Sequence, residues 1–101
     1  MASVAPPASK PLAPRDQVRL LALLGETGLD RGATLETCAK ARNRSDLGLA
    51  SLEVIIVLIH HMESCGRDPG DFSPDWVGLL DSVSGIVEVM TMIETGAPAH
   101  G

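Results

Sequence analysis

The sequence predicts an all-α protein, a small bundle of three to four short helices, and three observations predict it. At 101 residues the chain has room for one domain with a modest core and a thin stability margin. Hydrophobic residues make up 45% of it but aromatics only 2%, so the core must be built from Leu, Ile, Val, Met and Ala around Phe72 and Trp76. That palette suits helix packing better than a β-sandwich, whose strands draw heavily on aromatic residues. The last third carries apolar residues at alternating spacings of three and four, the period of a helix that buries one stripe.

Residues 1–14 hold prolines at positions 6, 7, 11 and 14 among Ala and Ser, and each proline removes an amide donor and fixes φ. They are expected to form a disordered tail before a single helical domain over 15–96, with 97–101 as a flexible C-terminus. Pro14 suits a first helical turn, so the first helix starts there and runs to Gly25. Val18, Leu21 and Ala22 share one apolar stripe and Leu20 and Leu24 a second beside it. The glycines of GETGLDRGA stop this helix, and Asp30 is expected to cap the next.

The second helix should cover Ala33 to about Asn43 and bury Leu35, Cys38 and Ala39. Lys40, Arg42 and Arg44 fall toward its C-terminal end, where the macrodipole favours cations. Together with Arg31 they form a basic cluster that reads as a solvated helix face. Ser45 or Asp46 offers the third cap, after which LGLASLEVIIVLIHHMES is apolar on nearly every side from Leu52 to Ile59. The β-branched run has no second strand to pair with, so a buried central helix ended by Gly66 is the better reading.

RDPGDFS is a loop by its Pro, Gly and Asp content. The fourth helix has the sharpest signals: Ser73 as N-cap, Pro74 at N1, Asp75 in the first turn and Gly96 just past the end. Trp76, Leu79, Val83, Ile86, Met90 and Ile93 then form a heptad seam, with Gly78, Ser82 and Gly85 leaving room for a helix to approach closely.

Charge is divided along the chain. Residues 1–46 carry seven Lys and Arg against five Asp and Glu, a net of +2; residues 47–101 carry one against eight, a net of −7. An acidic half repels phosphate backbones and argues against a nucleic-acid partner, while uneven fields orient protein partners. No apolar run approaches the ~20 residues that a membrane span needs. The first residues lack the apolar segment of a signal peptide, so Cys38 and Cys65 are expected as reduced thiols of a cytoplasmic protein.

No motif for catalysis emerges, and no catalytic residue, cofactor or metal is expected. His61 and Cys65 lie four apart and invite a zinc reading with His60, but the ligand set is incomplete. The excess of apolar helix surface points instead to a binding protein. Trp76, Leu79, Val83, Ile86 and Met90 on the fourth helix, with Leu52 and Ile55 on the third, are the candidate partner-binding residues. The other reading of the seam is that it closes a monomeric bundle. An alternative function is a self-associating, homodimeric helical protein with structural or regulatory purpose, paired through the fourth helix.

LLGETGLDRGATLETC, followed by SLEVIIVLI, resembles the mitotic-spindle organizing protein of the MOZART family over residues 20–59. The carriers are the turn Thr27-Gly28-Leu29-Asp30, then Thr34, Leu35 and Cys38, then Leu52, Val54 and Ile55. Arg31-Gly32-Ala33 lengthens the turn relative to that family, and the fourth helix has no counterpart in its core. The resemblance implies a three-helix adaptor that interlocks with N-terminal helices of γ-tubulin complex proteins and promotes assembly or recruitment of microtubule-nucleating complexes. It also implies a place at the cytoskeleton or spindle pole, and no catalytic residues.

Overall fold

A computed structural model describes residues 12–96. Of the tail predicted over 1–14, residues 1–11 lie outside them, as does the flexible end predicted over 97–101. Three long helices carry the architecture: α1 (Pro14–Thr27), α3 (Ser51–Ser64) and α4 (Val83–Thr95), with a short α2 (Leu35–Lys40) between the first two. Three 3-10 turns link them, Arg44–Leu47, Pro69–Asp71 and Pro74–Leu79. There is no strand among the described residues, and no helix among them is long and apolar enough to cross a membrane.

Pro14 opens α1 as its missing amide allows, and Gly28 closes it at φ 74° with Leu29 N–H donating back to the Leu24 carbonyl. Of the two predicted stripes that of Leu20 and Leu24 is buried, joined by Leu23, whereas in the other Val18 and Ala22 are exposed and Leu21 is half-buried against the core. Leu12, assigned by sequence to the tail, is buried as well, and its carbonyl accepts from the Gln17 side chain.

The second helix is shorter than expected because its cap lies later. Thr34, not Asp30, accepts from the Thr37 amide, and Thr37 Oγ1 accepts in return from the Thr34 amide. Starting at Leu35 puts that side chain at the exposed first turn and buries Cys38, with Ala41 just past the end. α3 is entered through Gly48 at φ 71° and capped by Glu53, whose carboxylate reaches back to the Ala50 amide. It packs on α1 and α4 through Val54, Val57, Leu58 and Met62.

The largest departure lies in the fourth segment. It is not one helix: the turn Pro74–Leu79 ends, Leu80 to Ser82 break the helix, and Ser82 caps α4 by accepting from the Gly85 amide at 3.0 Å. An antiparallel bridge between Asn43 and Ser82 holds the break, with Arg44 N–H donating to the Asp81 carbonyl and Val83 N–H to that of Arg42. Gly85 is required here, since a Cβ at this position would stand 1.8 Å from the Leu79 carbonyl oxygen. The predicted close approach at Gly85 therefore exists, but it is made by this chain's own backbone and not by another helix.

Trp76 is fully buried and meets Phe72 edge to face at 5.1 Å, and Leu80, Val83, Ile86, Met90 and Ile93 complete the core around it. A fully buried aliphatic side chain contributes about 1.5–3 kcal/mol relative to exposure, so this group, together with the buried residues of α1 and α3, carries the stability of the domain.

Candidate functional site

The seven residues that the sequence marks for partner binding separate into two groups. Trp76, Val83, Ile86 and Met90 are each 1% exposed and belong to the core. Leu79 is half-buried against the same core. In the folded chain the four buried side chains are spent on its own core. The outward face of α4 is Ser84, Glu88, Thr91 and Thr95, which is polar.

The other two candidates lead to a surface. Along α3, Leu52 is 65% and Ile56 51% exposed, and Ile55 and Ile59 are half-buried. Positions 52, 55, 56 and 59 follow each other at i, i+3, i+4 and i+7, which places them along one side of the helix. Val54, Val57, Leu58 and Met62 occupy the opposite side and enter the core. α3 is therefore apolar on two faces, and the bundle covers one. Sequence reasoning missed Ile56 and Ile59; the signal was the unbroken run Val54 to Ile59, read as total burial.

The groups proposed for other chemistry do not converge. His61 Nε2 lies 2.8 Å from Glu94 Oε2 and 3.9 Å from Cys65 Sγ, whereas His60 turns to Glu26 at 3.1 Å. No set of three or more His, Cys, Asp or Glu among the described residues is placed to hold a metal ion. Cys38 and Cys65 are both free thiols. Cys38 is inaccessible, and burial pushes its thiol above the ordinary range, which keeps it protonated.

His61 instead joins a network that ties three helices. Arg19 of α1 holds Asp16 at 2.7 Å and Glu94 of α4 at 2.5 Å, and Glu94 accepts from His61 of α3 through its other oxygen. Desolvation works against the Glu94 charge, but hydrogen bonds from Arg19 and His61 outweigh it and hold the carboxyl below the usual glutamate range. The Arg19 guanidinium is correspondingly raised, chiefly by Glu94. This is an architectural clamp.

Three members of the basic cluster have side-chain partners. Arg31, at φ 46° in the loop before α2, donates to the Gly48 carbonyl at 2.5 Å and pairs with Glu53. Lys40 pairs with Glu36 one turn away, and Arg44 donates to the Leu49 carbonyl. Lys40 and Arg42 thus remain solvated as expected, while Arg31 and Arg44 tie loops together. An open depression beside α2 is lined by Glu36, Thr37, Lys40, Ala41 and Asp46, of which Thr37 is held by the Thr34 cap, Lys40 by Glu36 and Asp46 by the Arg42 and Asn43 amides.

Compared with known protein families, curated proteins and solved structures, the chain matches none.

Proposed function

We propose that this protein is a small helical adaptor that receives an amphipathic helix of a larger protein along the outward face of α3. The observation that carries the reading is the exposure of Leu52 and Ile56, continued by Ile55 and Ile59, on a helix whose opposite side already fills the core. A stripe of this spacing is what a helix-in-groove partner reads, and covering it would steady a domain of thin stability margin. The resemblance over residues 20–59 includes Leu52 and Ile55 and points to N-terminal helices of γ-tubulin complex proteins as the partner. Assembly or recruitment of microtubule-nucleating complexes at the cytoskeleton is the role that follows.

Light-scattering mass and circular dichroism of the full chain, alone and mixed with an N-terminal helical fragment of a γ-tubulin complex protein, test this. A mixed species with added helicity is expected, and Ile56→Glu should abolish it while leaving the free protein's spectrum unchanged. Absence of a mixed species, or binding indifferent to Ile56→Glu, overturns the reading. A homodimer of the chain alone would favour self-association.

A further inference from the structure

We infer that the helix received by α3 is cationic at the end lying over the last turn of α3, so that the partner combines an aliphatic stripe with Lys or Arg at one end. The inference rests on the docking reading above and adds the chemistry of the occupant.

The apolar stripe does not run out into neutral surface. One turn beyond Ile59 on the same side stands Glu63, which is exposed, and one turn beyond Ile56 stands His60. Among the described residues Glu63 enters none of the ion pairs. His60 holds Glu26 of α1 beside it at 3.1 Å, and the Glu26 side chain is 55% exposed. Two carboxylates therefore border the C-terminal end of the stripe, where the carbonyl end of α3 adds partial negative charge.

Among the described residues no Lys or Arg pairs with either carboxylate. Arg67 is the single Lys or Arg of residues 47–101, and it turns away, donating to the Met92 and Ile93 carbonyls of α4. The opposite end of the stripe differs: there Glu53 is occupied by Arg31 and by the Ala50 amide. The stripe thus runs from a charge-balanced end to an acidic one. A cationic helix end seated over Glu63 and Glu26 gains attraction, and an anionic one meets repulsion that selects against it and sets direction along α3.

Two synthetic helical peptides of about 18 residues, roughly five turns, test this on the full chain. They share one leucine stripe and carry either Lys or Glu at the polar positions of one end. Binding is read from amide shifts in ¹⁵N spectra. The Lys peptide is expected to perturb Leu52, Ile56, Ile59, Glu63 and Glu26 and to bind about tenfold more tightly than the Glu peptide, the swing of two exposed contacts reversed in sign. In E26Q/E63Q the preference should shrink to about twofold or less, and added salt should shrink it in the native chain. Equal affinity of the two peptides at Leu52 and Ile56, or a preference for the Glu peptide, overturns the inference and leaves the docking reading intact. Failure of both peptides to perturb α3, or shifts there that survive Ile56→Glu, overturns both.

Discussion

α3 and α4 look alike as strings of residues and differ as parts of the fold. Both are aliphatic helices of about four turns, closed by glycine within two residues of their ends. In α4 the apolar side chains lie on one side and are consumed by the core, leaving Ser84, Glu88, Thr91 and Thr95 outward. In α3 they encircle the helix, so the bundle takes Val54, Val57, Leu58 and Met62 and leaves Leu52 and Ile56 in solvent. The distribution of apolar residues around a helix, more than their number, separates a structural helix from one with surface remaining for a partner.

A carboxylate placed in each helix exposes this contrast most sharply. Ile86→Asp buries a charge with no cation in the α4 core and should cost more than about 4 kcal/mol, enough to unfold a domain of this size, as a lost thermal transition in circular dichroism. Leu52→Glu, at a position 65% exposed, should stay within about 0.5 kcal/mol of the native chain. Equal losses from the two would erase the distinction.

Glycine substitutions sharpen it at smaller scale. Gly85→Ala forces a methyl onto the Leu79 carbonyl and should destabilise by about 3 kcal/mol, read from the denaturant midpoint. Gly25→Ala in α1, where an added Cβ meets nothing within 4 Å, should stabilise by about 0.5–1 kcal/mol.

Acid tests the clamp between the two helices. Glu94, Asp46 and Glu53 all have carboxyls held below their ordinary values: Glu94 despite desolvation, through Arg19 and His61; Asp46 chiefly through the Asn43 and Arg42 amides; Glu53 chiefly through that of Ala50. The unfolded chain therefore binds protons at higher pH than the folded one. Their contribution is complete above the ordinary carboxylate range and is lost as pH falls through the depressed values. Melting temperature should drop across that acidic window, and less so in Glu94→Gln; a Glu94→Gln profile parallel to the native one would remove Glu94 from the account.

Much of the fold was legible. Pro14 as the start of α1, Gly96 as the end of α4 and Ser73 with Pro74 as a cap are local signals that tertiary packing did not override. The break at Leu80 to Ser82 was hidden because the seam keeps its three-and-four spacing across it, and Ser82 reads equally as a small residue or a cap. Leu35 and Val18 were expected inside because a stripe announces that one side will be covered, never how many stripes the neighbours can reach. The candidate surface was half legible: Leu52 and Ile55 were marked, but Trp76, Val83, Ile86 and Met90 drew attention to a seam that the core had already claimed. No periodicity separates a covered stripe from an open one.

The bridge between Asn43 and Ser82 bears on how the chain is made. It joins the middle of the sequence to the entrance of α4 across 38 intervening positions, a long loop whose closure carries an entropic cost before its contacts form. On the ribosome α1, α2, Asn43 and α3 all emerge before Ser82, which completes this junction, and before the helix that follows it. For that interval the part of α3 that packs on α4 is uncovered, and a nascent chain presents apolar surface on a second side of the helix where the finished protein presents one.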